Sequence, residues 1–136
     1  MQLPDHIKIK ICGMRDAANI MAVAALPIDF MGFIFYARSP RFVGDNFVIP
    51  ENFPAHIARV GVFVNEQPAV MMAAATRHKL DYLQLHGHES PALCESLTAQ
   101  GYRIIKAFSI DDDFDFTNTT PYADAAEYFL FDTKGK

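Results

Sequence analysis

The chain has 136 residues, 51% of them apolar and 21% charged, with a formal charge of −4 when histidine is neutral. That balance is ordinary for one soluble globular domain with a real core, so residues 1–136 read as a single domain. It offers no basic footprint for nucleic acid and no apolar run near the roughly 18 residues of a membrane span, and Met1–His6 lacks the regions of a signal peptide.

The predicted elements alternate between strand and helix. Ile7 to Cys12 alternates apolar and polar residues and reads as a strand. Gly13-Met14-Arg15 turns the chain, and Asp16 is a candidate N-cap for a helix over Ala17 to Leu26, closed by Pro27. Asp29 to Phe35 is almost continuously apolar, as expected of a parallel strand buried on both faces. A polar loop follows, Tyr36 to Asn46, carrying Arg38 and Arg41. Pro50 and Pro54 make any helix over Phe47 to Ile57 short or irregular. Ala58 to Val64 is the third strand, and the next helix runs to about Lys79. Tyr82 to His86 is the fourth strand. Ser90 and Pro91 open a helix that ends at Gly101. Arg103 to Phe108 and Glu127 to Asp132 complete the strands, with an acidic turn at Asp111 to Asp115.

The strand ends fall at Cys12, Phe35, Phe63, His86, Phe108 and Asp132, spaced 22 to 28 residues apart. That is one βα unit each time, which implies an α/β fold with a parallel sheet and right-handed crossovers. Periodicity alone leaves two architectures, a doubly wound open sheet and a (β/α)8 barrel. Six units are three-quarters of a barrel, and the chain stops one step past a strand. That abrupt stop reads as a truncated chain; if the fold is the barrel, its C-terminal two units are missing.

In either architecture Cys12 and Asp132 sit at the carboxyl edge of the sheet, where α/β proteins build active sites. A thiol and a carboxyl facing one cleft are a base and an acid for moving protons. Each has a plainer reading. Cys12 can be a small buried hydrophobe. Asp132 can cap the following loop or pair with Lys106 or Lys134. Arg41 can hold a carboxylate with two parallel hydrogen bonds, or can be a solvated charge. Gln84 and His86 alternate along one strand and share a face, while His88 lies beyond the turn. No Glu or Cys stands at metal-ligand spacing and no glycine-rich nucleotide motif occurs, so no metal and no cofactor is expected. Cys12 and Cys94 do not form a disulfide framework, which fits a reduced, cytoplasmic protein. Cys94 falls mid-helix and reads as core.

The ordered set of motifs resembles the phosphoribosylanthranilate isomerase family of tryptophan biosynthesis. The carrying runs are Lys8-Ile9-Lys10-Ile11-Cys12-Gly13-Met14, Met31-Gly32-Phe33-Ile34-Phe35-Tyr36 with Ser39-Pro40-Arg41-Phe42-Val43, Arg59-Val60-Gly61-Val62-Phe63-Val64-Asn65-Glu66, Leu83-Gln84-Leu85-His86-Gly87, Ile104-Ile105-Lys106-Ala107-Phe108 and Phe131-Asp132-Thr133. The resemblance implies a (β/α)8 barrel without cofactor that performs an Amadori rearrangement on a phosphorylated aminosugar. It implies Cys12 as general base, Asp132 as general acid, Arg41 on the anthranilate carboxylate, and His86 with Gln84 lining the substrate pocket. A homo-oligomer is compatible with it; nucleic-acid and membrane partners are not implied. Phosphate contacts from the seventh and eighth loops have no counterpart in the sequence, so this chain alone is expected to be inactive, and unstable or paired with another chain. Two rivals are a relative of indole-glycerol-phosphate synthase, whose lysine and glutamate chemistry the Cys12/Asp132 pair disfavours, and a non-catalytic remnant that binds a carboxylate ligand or a partner chain.

Overall fold

The computed structural model describes residues 7–133. Met1–His6 and Lys134, the latter offered above as a partner for Asp132, lie outside the described residues. Six parallel strands form one sheet: β1 (Lys10–Cys12), β2 (Phe30–Ile34), β3 (Ala58–Phe63), β4 (Tyr82–Leu85), β5 (Ile104–Ile110) and β6 (Tyr128–Thr133). Their order in space is their order in the chain. A doubly wound sheet reverses at a switch point; this one does not, and the architecture is the singly wound one of a barrel. The sheet is curled. Phe30 on β2 meets Tyr128 on β6 edge to face at 5.8 Å, and Tyr82 on β4 lies 5.9 Å from Tyr128, across the hollow side.

Helices α1 (Ala17–Ala24), α2 (Pro68–His78) and α3 (Pro91–Ala99) cover the convex face. Local chemistry starts each one. Asp16 accepts the Asn19 N–H at 3.0 Å, and Ser90 Oγ accepts the Leu93 N–H at 3.1 Å. Pro68 and Pro91 sit in first turns, where no backbone donor is lost. Each helix buries residues three or four apart: Ile20 with Ala24, Met71 with Ala75, and Cys94 with Leu97. These pack onto outward-facing strand residues such as Met31, Phe33, Leu83, Leu85 and Ile104. None of these helices is long and apolar enough to cross a membrane.

The sequence reading is corrected in detail. β1 is shorter than Ile7 to Cys12, because the Ile9 N–H is taken by the Asp29 carboxylate at 2.8 Å before ladder pairing begins. No helix links β2 to β3. The two prolines stop it, and Phe47, Ile49, Phe53 and Ile57 are buried in its place, with Phe47 and Phe53 rings 5.4 and 6.2 Å from Phe33. β5 continues past Phe108 to Ile110, and residues Phe116–Tyr122 form a 3₁₀ segment before β6.

The amino end of the hollow side is closed. Phe30, Val60, Tyr82 and Ile105 fill it, and Glu127 ties it down by accepting from Tyr82 Oη and Arg103 Nη2, both at 2.6 Å. Burial, followed by the hydrogen bond to Glu127, raises the Tyr82 phenol well above its ordinary pKa. The Arg103 and Tyr82 hydrogen bonds hold Glu127 below the usual carboxylate range.

One ion pair is almost wholly buried. Lys106 points to the convex side and meets Glu89 at 3.4 Å, their side chains 3% and 1% exposed. Its ammonium also donates to the carbonyls of Gly87 and Ala107 at 2.9 Å and Leu85 at 3.3 Å. Lys106 is therefore not the partner of Asp132, which faces the other side of the sheet. Breaking a buried pair strands the remaining charge. Glu89→Gln is expected to lower stability by about 3 kcal/mol in urea unfolding, with part of the loss recovered in the Glu89→Gln/Lys106→Met double variant.

Candidate active site

Side chains two residues apart on a strand share a face. Paired Cα positions carry that parity from Cys12 through Gly32, Val60 and Tyr82 to Gln84, then to Ile105, and from Ser109 to Asp132. Cys12, Gln84, His86 and Asp132 accordingly belong to the hollow face, toward the carboxyl ends of their strands. This is the end left open by the aromatic plug.

Cys12 ends β1. Its neighbour Gly13 has φ +87, and the Gly13 and Met14 N–H groups both donate to the Gly32 carbonyl at 3.0 and 3.3 Å. A side chain at Gly13 would run into the Arg41 guanidinium. Arg41 comes from the loop after β2 and donates through Nη1 to the Cys12 carbonyl at 3.3 Å. Its own N–H donates to Ser39 Oγ at 3.1 Å, and Arg15 ties the adjoining Pro40 carbonyl at 3.1 Å. Gly32 makes the room for the thiol: a Cβ there would lie 2.7 Å from Cys12 Sγ.

His86 follows β4, and its N–H donates to the Phe63 carbonyl at 2.9 Å. Its ring stands between two hollow-face residues. Nδ1 is 3.3 Å from Gln84 Nε2, and Nε2 is 3.5 Å from Asp132 Oδ2. Gln84 is buried, and its Oε1 has no hydrogen-bond partner among the described residues. The Asp132 side chain is 56% exposed, against 25% for His86. Burial is the largest influence on the imidazole and lowers its pKa below 6.5; Asp132 opposes this, and Lys106 and Lys10 add to it. The ring is therefore neutral near pH 7.

The loop carrying His86 is held from the convex side. The Glu89 carboxylate accepts the Asn65 N–H at 2.8 Å and the Gly87 N–H at 2.9 Å, and Asn65 Oδ1 accepts the His88 N–H at 2.6 Å. A cavity of about 660 Å³ opens beside it, lined by Tyr36, His86, Phe108, Ser109, Phe114 and Tyr122 among others.

The residues expected from sequence thus fall into two groups on one face. Gln84, His86 and Asp132 form a connected row, and Cys12 with Arg41 forms a second group at the end of β1. No hydrogen bond or ion pair joins the groups among the described residues. Sequence reasoning passed over Glu89, just before the Ser90-Pro91 helix start, and Lys10, whose spacing from Cys12 already marks it as a neighbour on the same face. Together the thiol, carboxyl, imidazole and guanidinium can move protons on a small anionic molecule.

Residues 9–136 match the family model described as N-(5'-phosphoribosyl)anthranilate (PRA) isomerase. The chain is 49% identical over 129 residues to the N-(5'-phosphoribosyl)anthranilate isomerase of Parabacteroides distasonis, covering 93% of this chain and 58% of the relative. It is 42% identical over 125 residues to that of Phocaeicola vulgatus, covering 92% and 60%. The chain therefore spans about three-fifths of the length of these curated relatives. Its fold is similar to the crystal structure of phosphoribosyl anthranilate isomerase from Thermotoga maritima, with TM-score 0.81 and 31% identity over 96% of this chain and 63% of that one. It is also similar to a phosphoribosyl anthranilate isomerase crystallised with reduced 1-(o-carboxyphenylamino)-1-deoxyribulose 5-phosphate, with TM-score 0.72 and 27% identity over 92% and 74%.

The balance at His86 sets a titration. Between pH 6.5 and the lower folded value, the unfolded chain binds a proton that the folded ring refuses, so this residue withdraws stability as pH falls. Asp132→Asn removes the influence that raises the ring, and its NMR titration midpoint is expected to move still lower. An unchanged midpoint would mean that the carboxylate does not act on the ring.

Proposed function

The chain belongs to the N-(5'-phosphoribosyl)anthranilate isomerase family, and from that premise we propose that its site converts N-(5'-phosphoribosyl)anthranilate to 1-(2-carboxyphenylamino)-1-deoxyribulose 5-phosphate, in tryptophan biosynthesis. The observation that carries the proposal is the placement of Cys12 and Asp132 on one hollow face, at the carboxyl ends of the first and sixth strands, with His86 beside Asp132 at 3.5 Å. The co-crystallised product analogue of the related enzyme fits the same chemistry.

The reaction needs one proton given and one taken. Asp132 in its protonated form donates to the furanose ring oxygen, the C1–O bond breaks, and a Schiff base forms between C1 and the anthranilate nitrogen. Cys12 as thiolate then takes the C2 proton. The electron pair of the C2–H bond moves toward C1 and the nitrogen, giving an enolamine that tautomerises to the ketose. Neutral His86 orders the Asp132 carboxyl, and Gln84 orders His86. Arg41 holds the anthranilate carboxylate near the end of β1. Each positioned proton transfer is worth about 10²–10⁴ in rate. No cofactor takes part in this scheme. The six units fit a (β/α)8 barrel, in which phosphate commonly sits on loops after the seventh and eighth strands; none of residues 7–133 is assigned to that task.

Three substitutions test the scheme in the protein by steady-state turnover of N-(5'-phosphoribosyl)anthranilate. Cys12→Ser and Asp132→Asn should each lower kcat by about 10²–10⁴ with little change in binding of a product analogue. Arg41→Ala should weaken that binding more than it lowers kcat. Near-normal turnover in Cys12→Ser would remove the thiol from its role.

A further inference from the structure

We propose that Lys10 acts through Cys12 as its charge partner, its ammonium stabilising the negative sulfur that receives the substrate's C2 proton. This rests on the reading of Cys12 as the base.

Lys10 and Cys12 are two apart on β1 and share the hollow face; in the ladder they stand opposite Phe30 and Gly32. The empty Cβ position of Gly32 lies 2.7 Å from Cys12 Sγ and 3.2 Å from Lys10 Nζ. Sulfur and ammonium therefore converge over one gap, no further apart than those two distances laid end to end. An opposite charge within about 4–6 Å favours the ionised form of its neighbour. Among the described residues Lys10 is half-buried and takes part in no ion pair with a carboxylate. A thiolate at position 12 would supply the ammonium with a partner.

Other charges face the same region. Arg41 lies at the end of β1, but its guanidinium is turned to the Cys12 carbonyl. His86 follows β4, and Asp132 lies on β6. Lys10 is felt as far as His86, where its charge helps keep the ring neutral. When the C2–H bond breaks, the proton passes to the thiolate, which becomes a neutral thiol, and the electron pair stays with the substrate. The ammonium therefore favours the reactant form of the base.

The test is the alkylation of Cys12 by iodoacetamide across a pH series, read by mass spectrometry on the protein and its variants. Cys94 is fully buried, and its labelling reports loss of the fold. In Lys10→Met, alkylation of Cys12 near neutral pH should slow by about tenfold and recover at strongly alkaline pH. kcat should fall by a similar factor with KM nearly constant, and Lys10→Arg should retain both rates. An alkylation profile in Lys10→Met that coincides with the unsubstituted protein overturns the assignment. If Lys10→Met exposes Cys94, Lys10→Gln and Lys10→Arg give the same decision. Normal turnover by Cys12→Ser would instead sink the reading of Cys12 as base while leaving the alkylation result standing.

Discussion

The whole site depends on one constraint, the parallel register that keeps six strands in phase. Because side chains alternate with a period of two, a slip of one residue in any ladder would send that strand's hollow-face residues into the helix layer. A slip in β6 would carry Asp132 away from His86 and bring Phe131 into the mouth. The register is fixed from both faces. Apolar residues such as Phe33 and Leu85 have to meet the helices, and Phe30, Tyr82 and Tyr128 have to meet one another.

The two ends of the curled sheet have opposite chemistry. The amino end spends its polar groups on closure, with Glu127 receiving both Tyr82 and Arg103. The carboxyl end leaves polar groups facing the opening, including a neutral imidazole and an exposed carboxylate. Between them the buried Glu89–Lys106 pair holds the loops after β3 and β4. That pair lies behind the site, on the helix side, and acts on His86 through the backbone that it fixes and through the opposed fields of Lys106 and Glu89. Buried pairs of this kind are weak stabilisers and good locators.

The parts of this fold that were legible in the sequence are those written locally. The spacing of strand ends, the Asp16 and Ser90-Pro91 caps, and the shared face of Gln84 and His86 all depend on residues within a few positions of one another. The β2–β3 connection was half legible. Pro50 and Pro54 announced the loss of a helix, but not that four large apolar residues would cover β2 in its place. The Glu89–Lys106 pair was not legible. Its partners are 17 positions apart and meet only after α3 packs behind β5. A lysine within an apolar strand was visible, yet its direction depended on a ladder that the sequence does not display. The resemblance to a known family supplied roles for Cys12, Asp132 and Arg41 that spacing alone left open.

The glycine opposite Cys12 ties two strands into one unit of inheritance. Position 32 has no side chain because the sulfur of position 12 and the ammonium of position 10 occupy that space. A lineage that enlarged position 32 would have to shrink or redirect its neighbour across the ladder, and one that replaced the thiol by something bulkier would need the glycine all the more. Diversification at this end of β1 is thus expected to proceed by paired exchange, with β2 following whatever chemistry β1 adopts.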